Sequence, residues 1–327
     1  MRTGLLGALL AAALGASVAP AAADDAPLRI GYWTSGYSLG FGAVLEENKF
    51  LEKAGLKVEF RRFGEVGAPA QAVLQGNIDV AFAAPAAAAF NLGQQGAPVR
   101  VILATQVLEG QIVVKANGPI TSIDGLKGKK IGMSRPGSST HALATTLLKN
   151  NYGLQSGDYE VVPGNEGQLI GLLQRGDIDA AAVRNVTVAQ VPAGELRTLV
   201  NVVDDWKKLT KGEAPPILGV ALTTADVVAK RGPELAAFVK ATQEAVAYGK
   251  AQPDAVANTL VSVANLNEKD AKAYAALWSQ IYVASLTEAD IKGMKDENKT
   301  FVDAGAANGV APDDIYAPGP FQAAGKN

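Results

Sequence analysis

The most constraining feature of this chain is an internal echo. Gly76-Asn77-Ile78-Asp79-Val80-Ala81 returns 100 residues later as Gly176-Asp177-Ile178-Asp179-Ala180-Ala181. In both places a helical stretch precedes the match and a short run of small, strand-like residues follows it. Around the first copy, residues 28–33, 57–63, 80–83 and 99–105 read as strands, with helical spacing over 41–54, 68–75 and 85–95. Around the second, strands are expected at 130–133, 159–162 and 180–183, with helices over 140–150 and 167–174. Strands alternating with helices predict mostly parallel sheets flanked by helices. The expected fold is therefore α/β with two lobes of similar build.

Residues 111–115 and 217–223 are apolar, strand-like stretches on either side of the second set. They are expected to cross between the lobes as a two-segment hinge. The first lobe is then discontinuous, formed by 24–114 plus 217–327, and the second comprises 115–216. Beyond 224 the pattern is helical over 233–251, 253–264, 269–284 and 288–307. The tail from 312, rich in Pro, Gly and Ala, is expected to lie extended on the surface.

The N-terminus has the layout of a secretory signal. Arg2 precedes an uncharged Leu- and Ala-rich run over 5–18, and Pro20-Ala21-Ala22-Ala23 leads to Asp24. That run falls short of the ~20 apolar residues a bilayer span needs. A cleaved signal peptide over 1–23 and a periplasmic chain are expected. With no cysteine, disulfides, a thiol nucleophile and an N-terminal lipid anchor are excluded. With a single histidine as well, Cys- and His-rich zinc sites are excluded, and no metal or cofactor is expected. The balance of 30 basic and 32 acidic residues gives no electrostatic case for nucleic acid or for a polybasic membrane patch. The expected partner is a small molecule, and a monomer is expected.

No nucleophile elbow, phosphate loop or dinucleotide fingerprint occurs, and any imidazole chemistry must run through His141. Asp79 and Asp179 read as turn and capping residues. Binding candidates sit just beyond strands, where open α/β sheets place their ligands. Trp33, Thr34 and Tyr37 follow the first strand and offer flat walls with polar tips. Ala84 and Pro85 end the third strand, where small residues let backbone N–H groups approach a ligand. Ser138, Ser139, Thr140 and His141 open a helix whose hydroxyls and unpaired amides suit an anion. Arg184 and Asn185 follow the strand of the second echo, and a guanidinium there suits bidentate capture of a carboxylate or sulfonate. Gln111, on the first crossing segment, completes the expected ligand-binding set. No residue is expected to be catalytic.

The motifs RIGYWTSG, LQGNIDVAFAAPAAAA, GLKGKKIGMSRPGSSTHALATTLLK and LLQRGDIDAAAVRNVTVA occur in that order. In them the chain resembles the periplasmic solute-binding proteins of ABC importers for taurine, alkanesulfonates and nitrate. The resemblance is strongest over 28–188 and nearest the taurine-binding branch. It implies a type II periplasmic binding protein fold: two lobes that close around a ligand like a Venus flytrap and deliver it to a membrane permease. It also implies that the loops at Trp33, Ala84, Ser138 to His141 and Arg184 face the cleft. Family members often carry Trp where this chain has Arg184, so the ligand itself does not follow. The expected ligand is a small organic anion, a sulfonate or carboxylate. The alternatives are an aromatic or pyrimidine compound stacked on Trp33, a biosynthetic enzyme on the same fold, or a receptor serving a sensor kinase.

Overall fold

The computed structural model describes residues 26–34, 36–136, 138–212 and 215–325; the expected signal peptide, 1–23, lies outside them. The first sheet begins with β1 (Leu28–Trp33), α1 (Gly36–Glu47), α2 (Phe50–Lys53), β2 (Val58–Phe63), α3 (Ala68–Leu74), β3 (Val80–Pro85), α4 (Ala86–Gln94) and β4 (Val99–Val107). The chain then builds the second sheet from β5 (Gln111–Lys115), β6 (Lys130–Met133), α5 (Ser139–Tyr152), β7 (Glu160–Pro163), α6 (Glu166–Arg175), β8 (Ala180–Val183), α7 (Asn185–Gln190), β9 (Leu196–Asn201) and α8 (Val202–Thr210). It returns through β10 (Ile217–Thr224), α9 (Ala225–Lys230), α10 (Gly232–Ala251), α11 (Pro253–Ala264), α12 (Glu268–Ile281), β11 (Tyr282–Ser285), α13 (Glu288–Asp303) and α14 (Gly319–Ala324).

The two sheets share one plan. Counted from one edge, the first runs β2-β1-β3-β10-β4-β11 and the second β7-β6-β8-β5-β9. In each, the first three strands are mutually parallel, and the fourth runs against both of its neighbours. The sheets are therefore mixed for a topological reason. That fourth strand arrives from the other lobe and enters its sheet reversed. The segment 111–115, expected to cross between lobes, is wholly a strand of the second sheet, so the outward passage is Leu108-Glu109-Gly110. Leu108 N–H donates to the Pro216 carbonyl at 2.8 Å, which brings the outward and return passages side by side.

The echo has a physical basis. Asp79 opens β3, donates its N–H to the Arg29 carbonyl and accepts the Arg29 N–H on its carboxylate, both at 2.8 Å. Asp179 opens β8 and makes the same reciprocal pair with Lys130, at 2.9 Å each way. These carboxylates lock the start of one strand to its parallel neighbour, a firmer role than turn formation. The preceding isoleucines, Ile78 and Ile178, lie over Gly31 and Gly132, where a β-carbon would come within 2.5 and 2.6 Å of their δ-methyls. Each lobe thus needs a glycine opposite its isoleucine so that the helix can settle on the sheet.

Three local expectations differ from the structure. The helix expected over 41–54 is broken at Lys49, whose φ of 54° ends one helical segment and starts another. The helix expected to reach 284 stops at Ile281, because Tyr282 pairs with Gln106 on β4 and buries its ring against Phe41 and Trp278. The tail is not extended. Tyr316 bridges to Val101 on β4, and α14 packs against α10. Its Ile315 fills the space over Gly93. The elements β9 and α8, which complete the second lobe, were not anticipated. No helix among the described residues is long and apolar enough to cross a membrane.

Candidate functional site

The lobes meet where α1, the Glu109 passage, and the starts of α6 and α7 converge. Tyr37, in the first turn of α1, is fully buried, with its ring edge-on to Tyr274 at 5.7 Å and Tyr282 at 6.1 Å. Its hydroxyl donates to Glu109, and that carboxylate also accepts the Asn185 N–H at 2.9 Å. One buried carboxylate therefore ties a first-lobe helix to the start of a second-lobe helix. Burial pushes the Glu109 carboxyl above its ordinary range against the opposing pull of Tyr37, the Asn185 amide and Arg184.

Arg184 lies above Tyr37, its guanidinium carbon 4.4 Å from the ring centroid. Its Nε donates to Glu166 Oε1 at 2.5 Å and its main-chain N–H to Oε2 at 3.1 Å. Thr187 donates its hydroxyl to the same carboxylate. Burial works against the charge, but Glu166, Tyr37 and Tyr274 together outweigh it, so the guanidinium pKa stands above its ordinary value. The Nη groups of Arg184 have no hydrogen-bond acceptor among the described residues, and Nη2 points at Gly36, within 2.6 Å of where a β-carbon would stand. Trp33 closes this corner from the other side. Its ring edge lies 3.2 Å from the same point, and its indole N–H donates to the Gly64 carbonyl at 3.2 Å.

A second junction forms at the start of α5. Ser138 caps the helix, accepting the His141 N–H at 3.2 Å, and its hydroxyl donates to the Arg135 carbonyl. Ser139 is fully buried between the lobes. It accepts the Ala87 N–H at 3.1 Å, just beyond Pro85, and donates to the Leu218 carbonyl at 3.3 Å. His141 has a buried Nδ1 with no hydrogen-bond partner among the described residues, and burial pulls its pKa below the ordinary value of 6.5 against a smaller opposing pull from the Ser134 main chain.

The expected residues therefore fall into three groups. Trp33, Tyr37, Arg184 and Asn185 come together at the first junction. Ser139 and His141 lie at the second, with Ala84 and Pro85 on the strand leading to it. Thr34 and Gln111 are already engaged: Thr34 donates to the Phe63 carbonyl, and Gln111 donates to Asn185 Oδ1 at 2.9 Å and accepts from Thr198. Thr140 is half-buried on α5. Sequence reasoning missed Glu109, Glu166, Thr187 and Tyr274. Two open hollows on the first lobe, one beside Arg61 and Phe63 and one beside Arg29 and Asp79, contain none of the expected residues.

Two lobes of one topology, linked by paired passages and meeting over buried polar groups, define the type II periplasmic binding protein fold. The chain belongs to the NMT1/THI5-like family, whose profile matches residues 43–256. It is 27% identical over 209 residues to the taurine-binding periplasmic protein of Escherichia coli (strain K12), a match covering 64% of this chain and 62% of that protein. The match thus spans less than two thirds of that relative's length. The fold is shared with the alkanesulfonate-binding protein SsuA from Xanthomonas axonopodis pv. citri bound to MOPS. That similarity has a TM-score of 0.75 at 20% identity and covers 90% of this chain and 99% of that one. It is also shared, at a TM-score of 0.64 and 13% identity, with the desulfurization enzyme DSZB, over 91% of this chain and 99% of that one.

Proposed function

We propose that this protein is the extracytoplasmic solute-binding component of an ABC importer, exported by its N-terminal signal to the periplasm. It captures a small organic anion, a sulfonate or carboxylate, between its lobes and hands it to a membrane permease without chemical change. The observation that carries this reading is the Arg184 guanidinium. It is buried at the junction, held by Glu166, and offers Nη donors with no acceptor among the described residues. Trp33 and Tyr37 flank the same corner. Likeness to a taurine-binding protein and to a sulfonate-binding fold supports the solute class.

Closure is a hinge motion about the paired passages, with its equilibrium shifted by a ligand that touches both lobes only when they are shut. A thermal-shift screen of sulfonates, carboxylates, nitrate and pyrimidines tests the reading, because a ligand that binds only the folded state raises its melting temperature. Stabilisation by neutral or cationic compounds alone refutes the anion assignment. Stabilisation by pyrimidines that persists in Arg184→Ala supports a stacked aromatic ligand on Trp33 instead. Consumption of a bound compound, abolished in His141→Ala, identifies an enzyme.

A further inference from the structure

We infer that Glu166 is a positioning and selectivity residue of the cleft: it cancels the charge of Arg184 and fixes its orientation, so that a ligand is chosen by acceptor geometry rather than by net negative charge. This rests on the reading of Arg184 as a ligand contact. The Glu166 carboxylate takes three donors, namely Arg184 Nε, Arg184 N–H and the Thr187 hydroxyl. Only the guanidinium among them carries charge. The ion pair is sheltered, with both side chains about nine-tenths buried at 11% exposure.

Glu166 and Arg184 both belong to the second lobe, at the starts of α6 and α7, so lobe opening does not separate them. The fork is preformed. With Nε occupied by Glu166 and one face covered by the Tyr37 ring, the remaining guanidinium donors are on Nη1 and Nη2, of which Nη2 lies at the edge near Gly36. The wider charge count points the same way. Around Tyr37 stand one guanidinium, Arg184, and two carboxylates, Glu166 and Glu109, so the cluster carries no excess of positive charge. A monoanion arriving there gains directed hydrogen bonds but little net Coulomb attraction. A neutral isostere with the same acceptor oxygens gains nearly as much.

The test uses matched acid and amide probes, C2 to C6 alkanesulfonates with their sulfonamides and benzoate with benzamide, titrated calorimetrically into the full mature chain. Wild-type protein is expected to prefer the acid of its best pair by less than about tenfold. Glu166→Gln frees the charge of Arg184 and is expected to raise that preference at least tenfold. Glu166→Asp keeps the charge but cannot span both donors, so both members of the pair weaken together and the ratio holds. A merely structural role for Glu166 would move both affinities equally in both variants. If no probe binds wild-type protein, or if Arg184→Ala leaves binding unchanged, the reading of Arg184 as a ligand contact fails. If Arg184→Ala abolishes binding while Glu166→Gln keeps the wild-type ratio, the inference about Glu166 alone is overturned.

Discussion

The main-chain N–H of Ala87 in the first lobe donates to the hydroxyl of Ser139 in the second, 3.1 Å away, and the same hydroxyl donates onward to the Leu218 carbonyl. One fully buried side chain thereby joins two helix starts and the returning strand β10. Read from the sequence, Ser139 is a ligand contact; in the structure its hydroxyl is already spent on first-lobe groups.

Ser139→Ala should therefore loosen closure. Each lost hydrogen bond is worth about 1 kcal/mol net, so two of them shift the open-to-closed ratio by roughly tenfold or more. Small-angle X-ray scattering of the ligand-free protein should show a larger radius of gyration for the variant at an unchanged melting profile. Identical curves for the two proteins would leave Ser139 without a latching role.

Glu297 sits fully buried on α13, with one carboxyl oxygen accepting the Ile217 N–H at 2.8 Å and the other without a hydrogen-bond partner among the described residues. Burial pushes its pKa up from 4.5 to about 8, against the smaller pull of that amide. The group is raised, so its protonated form stabilises the folded chain. Its contribution is complete below pH 4.5 and is lost as the pH climbs to about 8, at roughly 1.4 kcal/mol per pH unit. Glu297→Gln should flatten the melting temperature across that window and exceed wild type at pH 8.5. A parallel pair of profiles contradicts the assignment.

Gly249 lies in the last turn of α10, where alanine would ordinarily gain at most about 1 kcal/mol in helix propensity. Here a β-carbon would overlap the buried indole of Trp278, which itself packs at a tilt against Tyr282 with ring centroids 4.3 Å apart. Overpacking of this kind costs about 1–3 kcal/mol and outweighs the gain. Urea denaturation of Gly249→Ala should show a lower midpoint at unchanged slope; a higher midpoint would mean the indole moves aside freely.

Asp79 accepts hydrogen bonds from Arg29 and Arg231, and its side chain and that of Arg231 are both more than nine-tenths buried. Burial alone would raise its pKa, but the side chain and main-chain N–H of Arg29, helped by Arg231, outweigh it and hold the carboxyl below the ordinary 3.8. Its stabilisation is thus present above pH 3.8 and drains away as acid titrates the lowered group. Asp79→Ala removes a buried carboxylate shared by two guanidinium groups, although Arg231 keeps Glu234, and should cost about 1–3 kcal/mol. Asp179→Ala, whose carboxylate and Lys129 partner are partly exposed, should cost far less. Comparable losses at the two sites would contradict this account of the echo.

Those two aspartates also show what could be read in advance. The echo and the strand-helix alternation are local patterns, and each survives in the sheet orders. The strand β11 was hidden because four residues after a helix carry too little alternation to mark a strand. Glu109 and Glu166 were hidden for another reason. Each is a lone acid at a turn or helix start, where capping is the ordinary role. Only folding brings Glu109 to Tyr37, 72 residues away in sequence, and Glu166 to Arg184, 18 away. Arg184 was legible as a cation beyond a strand, but not the carboxylate that neutralises it.

The place of β10 between β3 and β4 governs how this chain must come into being. All five strands of the second lobe lie within 111–201, so that lobe can finish while synthesis is still under way. The first lobe begins earlier yet waits for residues 217–224 before its two halves can join. A polypeptide cut short before that point carries the bare edges of β3 and β4, which are templates for strand addition. Premature termination in this protein is therefore expected to leave an aggregation-prone fragment with one sound half.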